Sequence, residues 1–369
     1  MASAQSIHGE VGRATRSWCT GRLSVLAVVF AAGCGDATGP GNARRISELT
    51  AVTAGPDRFV AVGTTFWATD VIVASSDTAL IASSTDGLTW ETAVTAEAGT
   101  LLGVAHGNGR FVAVGSRFDT GVGQTSFRGV VYVSDEGRVW TAVPDSTSRS
   151  WRSVSWGGGQ FVAAGYDPTT QGSVIATSPD GVTWTDRAVA DIASPGTAFG
   201  GGTFVLWGEA GAVAISTDAI DWTVVPVDSV HWITGMVYLG GRFLASGVYD
   251  CCFGEVAGGA TSFDLSSTDG ASWTVRRRSD PEGLFTGYAF GAGRYVALGG
   301  RDVFTSSDGT TWHQAVRFSE HHNGIAYRNG RFVVVGRNVL TSPDGEAWAA
   351  AGFPAPSALS RASEKRYIE

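Results

Sequence analysis

Short apolar runs bounded by glycine turns recur along the chain, and none extends into the three-and-four spacing of an amphipathic helix. Gly324-Ile325-Ala326-Tyr327 alternates small with bulky residues, the two-residue period of a strand. A glycine turn leads to a second run, Phe332 to Val335, and a variable stretch to a third, Val339 to Ser342. An Asp-Gly turn then opens a fourth near Trp348. The unit repeats. Its closing turn, S-x-D-G-x-x-W with single changes tolerated, stands at Ser84–Trp90, Ser134–Trp140, Ser178–Trp184, Ser216–Trp222, Ser267–Trp273, Ser306–Trp312 and Ser342–Trp348, with serines 36 to 51 residues apart.

A second pattern precedes each turn, as in GNGRFVAVG (Gly107–Gly115) and GAGRYVALG (Gly291–Gly299). Twelve residues before its last glycine stands a small residue in every unit: Ala51, Gly103, Ser153, Gly196, Gly235, Gly287 and Gly324. Seven four-stranded antiparallel units predict an all-β, seven-bladed β-propeller, the small column lining the crowded axis. Loop lengths then separate two faces. From the second-strand glycine to the next turn serine the distance runs 21, 19, 13, 8, 20, 7 and 6 residues, whereas tryptophan to the next small residue stays at 12 to 14. The variation therefore falls on the face opposite the Asp-Gly turns, where binding is expected because variable loops sit there on a rigid scaffold.

The turn motif resembles the Asp-box, or BNR repeat, of sialidases, sortilin-type propellers and photosystem II assembly factors. The resemblance implies a propeller over residues 47–352, and those families share a turn and not a chemistry. Asp86, Glu136, Asp180, Asp218, Asp269, Asp308 and Asp344 occupy the acidic position and are expected to cap local backbone N–H groups. On seven separate blades they cannot converge on a metal or a substrate. The sialidase Arg-Ile-Pro stretch is matched only by Arg45-Ile46-Ser47. No catalytic residue is carried over.

Composition agrees with the fold, with 51 Gly, 13 Trp and only 16% charged residues. Net charge is −8, Lys365 is the single lysine, and no basic stripe supports nucleic acid as a partner. The N-terminus has the form of an export leader: Arg13, Arg16 and Arg22 precede the apolar Leu23–Ala32, and AAGC follows at Ala31–Cys34. This resembles the lipobox of bacterial lipoproteins, which implies cleavage after residue 33, lipid on Cys34, a tether over 34–46 and a place in the bacterial envelope. Residues 353–369 read as a tail. Cys251 and Cys252 are adjacent and form either a vicinal disulfide or two thiols.

Candidate ligand-binding residues on the loop-rich face are Trp67, Asp119, Trp151, Tyr166, Asp167, Trp232, Tyr249, Asp250, Arg301, Glu320 and His322. Aromatics mixed with carboxylates suit a glycan or polar peptide. Glu320-His321-His322 has no further histidine at matching spacing, so neither a metal nor another cofactor is expected. The expectation is a monomeric, lipid-anchored propeller that binds a protein or glycan without chemistry. The runner-up is a glycan-active hydrolase or lyase using carboxylates such as Asp119 and Asp167. A third reading is an assembly factor with one protein partner.

Overall fold

The computed structural model describes residues 44–353 apart from 69–72, 122–123, 146, 171, 189–191, 194–195, 210, 250–260 and 279–283; at 44–45, 67–68, 73–77, 94–98, 118–121 and 124–126 only the backbone is described. The described residues form 28 strands in seven sheets, each a meander of four consecutive antiparallel strands. The first strands of successive blades lie against one another round the ring, and blade 7 meets blade 1. The chain is thus a seven-bladed propeller, with strands called inner, second, third and outer from the axis.

Seven apolar layers fill the seven gaps between blades. Strand alternation distributes the side chains. In the second strand of blade 1, Phe59–Ala68, Phe59 and Ala61 face blade 7 while Val60 and Val62 face blade 2. Both faces of the sheets are buried at the second strands, which is why these strands are continuous apolar runs, while the outer strands are largely exposed.

The constant twelve-residue offset has a physical cause. In blades 1, 2, 3, 5 and 7 the inner strand carries a bulge opposite the second-strand glycine, with register slips at Leu49/Ala51, Leu101/Gly103, Trp151/Ser153, Ile233/Gly235 and His322/Gly324. A Cβ on Gly63 would lie 2.0 Å from the Glu48 carbonyl oxygen, and one on Gly115 2.0 Å from that of Thr100. The small column serves the axis: a Cβ on Gly103 would lie 3.1 Å from the Ser153 Cα, and one on Gly324 3.2 Å from the Ala51 Cα.

Two stretches expected as long loops are largely strand. The second and third strands of blade 2, Arg110–Gly121 and Gln124–Ser134, remain paired out to Gly121 and Gln124. Those of blade 1 pair out to Ala68 and Val73. An excursion into solvent satisfies its own backbone groups in this way, so added length becomes a projecting hairpin.

Among the described residues no strand is exchanged to close the ring; Arg44–Ala54 is the inner strand of blade 1, and blade 7 supplies all four of its own. Closure uses side chains and the segment after the last strand. Asn323 Nδ2 donates to the Leu49 carbonyl (2.9 Å), and the Arg328 guanidinium donates to the carbonyls of Gly55, Pro56 and Thr85. Gly352 N–H donates to the Leu88 carbonyl (2.7 Å) and its carbonyl accepts from Trp90 N–H (3.2 Å), with Phe353 packed on the same layer.

Candidate functional site

The face bearing the S-x-D-G-x-x-W turns is built for structure. In blade 1, Ser84 Oγ accepts from Gly87 N–H (2.8 Å) and donates to Asp86 Oδ1 (3.0 Å), which also accepts from the N–H groups of Leu88 (2.8 Å) and Thr89 (2.9 Å). The same arrangement recurs around Asp180, Asp218, Asp269, Asp308 and Asp344. Backbone bonds from Ser272 and Ala271 hold the Asp269 carboxyl down at about 2, and those from Thr311 and Thr310 depress Asp308 further. These carboxylates are consumed locally. The indoles of Trp90, Trp184, Trp273 and Trp348 donate to the carbonyl of their own turn glycine. Trp140 and Trp222, in the turns bearing Glu136 and Ala219, keep buried indole N–H groups without a partner among the described residues.

Residues at the start of the second strands tie this face together. Arg110 bonds Asp135 of its own blade (2.6 Å) and the Asp180 carbonyl of the next (2.9 Å). Gln160 reaches the Asp218 carbonyl (2.7 Å), Arg242 the Asp308 carbonyl and Arg294 the Glu346 carboxylate. The arginine of the GNGRF pattern is therefore a blade-to-blade latch.

The opposite face carries the hairpins and the strand ends named as candidates, and the described ones have separate surroundings. Trp151 is 2% exposed in the layer between blades 2 and 3, with its Nε1 on Asp145 (3.0 Å). His322 is also 2% exposed; its Nε2 pairs with Asn338 Oδ1 (2.7 Å) and its ring meets Phe318 edge-on. Burial holds His322 below the ordinary imidazole range against that hydrogen bond. Asp167 caps a turn by accepting from the N–H groups of Thr169 (2.7 Å) and Thr170 (3.4 Å). Glu320 lies 3.8 Å from Arg337, which lies 3.9 Å from Glu48. Tyr249 is exposed and stacks on His231 at 4.8 Å, Arg301 is exposed, and Trp232 and Tyr166 are half-buried. Trp67 and Asp119 sit on the projecting hairpins of blades 1 and 2, their side chains outside the description. Cys34, Asp250, Cys251 and Cys252 lie outside the described residues.

Two residues not anticipated from the sequence stand at the mouth of the ring on this face. Arg152 is the bulge residue of blade 3's inner strand, Ser150–Gly157, and its Nε is buried without a partner among the described residues. Glu209 follows the second strand of blade 4, its N–H on the Ala193 carbonyl (3.1 Å) and its backbone bridged to Trp232, and its Oε1 is buried without a partner among the described residues. Burial pushes the guanidinium down and the carboxyl up, and each is only partly relieved by the charge of the other. Alignment of the repeats supplies the missed signal: Arg152 occupies the position of Thr50, Thr234 and Asn323, whose side chains bond a carbonyl of the following blade.

No protein-family model and no curated protein matches the chain. Solved structures do resemble it. The WD40 β-propeller domain of Doa1 superposes with a TM-score of 0.54 at 12% identity, covering 80% of this chain and 93% of that one. The β-propeller domain of the trilobed protease from Pyrococcus furiosus, described as having an open velcro topology, gives 0.51 at 9% identity, again over 80% and 93%. YCF48 from Cyanidioschyzon merolae gives 0.47 at 14% identity over 68% and 84%, a likeness that carries no argument. At these identities the resemblance establishes the propeller fold alone.

Proposed function

We propose that this chain is an envelope-anchored propeller of the Asp-box type that binds a protein or glycan through its loop-rich face and performs no chemistry. The observation that carries this reading is the division of labour between the faces. The turn aspartates are spent on backbone N–H groups and the second-strand arginines on the next blade, while the projecting hairpins and exposed Tyr249 and Arg301 are on the other side. Among the carboxylates that a glycan-active enzyme would need, Asp167 is tied to Thr169 and Thr170 and Glu320 faces Arg337.

Lipid on Cys34 would give the reading a direction. The chain enters blade 1 at Arg44, at the loop-rich end, and ten residues of tether reach at most ~35 Å. The binding face would then be held near the membrane surface, and the ligand would be one that is reached there. Incorporation of labelled palmitate that disappears on Cys34→Ser tests the anchor. For binding, glycan arrays and envelope-protein pull-downs are run with the full chain and with Tyr249→Ala and Arg301→Ala. Expected is a ligand whose binding falls ~10-fold in these variants and is unchanged by Val182→Ser on the opposite face. Binding lost only through Val182→Ser, or no ligand at saturating protein, would refute the reading.

A further inference from the structure

The projecting hairpin of blade 2 brings two arginines together at its base. Arg117, on Arg110–Gly121, and Arg128, on Gln124–Ser134, stand directly opposite each other, so both side chains leave the same face of the sheet. Like charges in that position disfavour the hairpin itself. Both arginines line a half-open cavity of about 290 Å³, with Tyr132, Ala142, Pro144 and Asp145 among its other walls. The acid in that lining is held by neutral donors. Asp145 Oδ1 accepts from the Thr147 N–H (2.9 Å) and hydroxyl, and Oδ2 from the Trp151 indole (3.0 Å). Gly129 makes this possible, since a Cβ there would collide with Asp145 Oδ2 and lie 2.8 Å from Trp151 Nε1. Glycine inside a strand weakens it and marks such a close approach.

We propose that this cavity seats an acidic side chain of a protein partner, its carboxylate lying between Arg117 and Arg128. The chemistry follows from the pair. Each guanidinium carries five N–H donors in a fixed fork, so engagement of one edge leaves others for a carboxylate. Two forks from adjacent strands suit its two oxygens, and the charge-assisted bonds they form are strong. Arginine clusters read acidic peptide motifs in this way. The walls favour a peptide over a sugar: Ala142 and Pro144 offer an exposed aliphatic rim, whereas the ring in the lining, Tyr132, is 4% exposed and presents no plate for a sugar to lie on. The net charge of the chain is −8, so a paired positive site selects an acidic segment that much of the surface repels. Entry is open on the outer side. The outer strand Thr141–Val143 pairs only with Val131–Val133, and Pro144, which has no N–H, ends it beside the cavity. The inference rests on the reading of the loop-rich face as the binding end and adds a contact on blade 2, apart from Tyr249 on blade 5 and Arg301 on blade 6.

An array of randomised decapeptides with the central residue fixed as Glu, Asp, Gln or Lys, probed with the full chain, tests it, and the best binders are titrated by fluorescence polarisation. Expected are binders concentrated among the Glu and Asp peptides, with Kd below ~100 μM, weakened about tenfold by changing the central Glu to Gln and about tenfold by Arg117→Gln or Arg128→Gln. Binding should also weaken as salt is raised. Ala142→Glu sets a competing carboxylate on the rim without touching either arginine, and it should bind at least about tenfold more weakly than Ala142→Gln, which adds the same bulk without the charge. An array without binders, equal binding of Glu and Gln peptides, or Ala142→Glu that binds as well as Ala142→Gln would overturn the proposal. Trigalacturonate bound through Arg117 and Arg128 while no peptide binds would assign the pair to an acidic glycan and overturn it as well. Failure here leaves the reading of the loop-rich face standing, because that is tested by Tyr249→Ala and Arg301→Ala on other blades.

Discussion

At the residue scale, the seven turns show which departures from the motif matter. In blade 2 the serine bond survives, Gly137 N–H to Ser134 Oγ at 2.8 Å, but Glu136 makes no bond of the aspartate kind and the Trp140 indole is left unpartnered. One extra methylene moves the carboxylate off the backbone N–H groups. Glu136→Asp is expected to stabilise the protein by ~1 kcal/mol in urea unfolding; no gain would mean that the turn is set by the serine alone. Asp264 and the turn aspartates titrate with opposite consequences. Burial raises Asp264 to about 6 against Arg278, 3.8 Å away, and Arg276, with the buried Tyr288 phenol facing it from blade 6. A raised folded-state pKa gives stability that is full below the unfolded value and is lost as pH rises through about 6. Asp269, held at about 2, contributes above its unfolded value and loses that contribution as pH falls through about 2. The Asp264 share of the melting temperature should therefore grow as pH falls from about 6 toward about 4. His322 and His106 oppose it, because their lowered pKa values cost stability below the ordinary imidazole range, and the turn aspartates should cost stability as pH falls further. Asp264→Asn should remove the first gain only; a difference between wild type and Asp264→Asn that stays constant from about pH 6 to about pH 4 would show that Asp264 is not its source.

At the element scale, the strand pattern was legible because the second strands are buried on both faces and the glycine turns punctuate it. Val339 to Ser342 is the third strand of blade 7 as expected. The twelve-residue offset was visible as a number, but its cause, a bulge opposite Gly63 or Gly115, depends on a cross-strand clash that sequence spacing does not display. Long inserts read as loops became hairpins, because polar composition alone does not say whether an insert pairs with itself. The same limit explains Trp151 and His322: aromatics at the start of an inner strand fit a pocket or a packing layer equally well, and the layers took them. The latch was present in the sequence as the arginine of GNGRF, without its partner in the next blade. Arg110→Ala removes bonds to Asp135 and the Asp180 carbonyl and should cost ~1 kcal/mol, modest because the pair is largely solvated. A loss several times larger would show that the latch, and not the apolar layers, sets blade-to-blade stability.

At the scale of the whole molecule, ring closure with no strand exchanged among the described residues places the burden on blades 7 and 1. Arg328 alone donates to three carbonyls of blade 1 and Asn323 to a fourth, next to the layer that holds Leu49, Phe59 and Val333. Arg328→Ala should lower stability by ~2–3 kcal/mol. It should also speed hydrogen exchange first in Arg44–Ala54 and His322–Arg328, leaving blades 3 and 4 unchanged. Exchange that quickens uniformly would mean that the ring opens elsewhere. The central claim concerns the faces: turns and latches on one, ligand on the other. A photoreactive residue is placed singly at Tyr249, Arg301, Val182 or Ile220 in the full chain, in cells that express it. The account predicts adducts from Tyr249 and Arg301 and none from Val182 or Ile220; adducts from Val182 and Ile220 alone would contradict it.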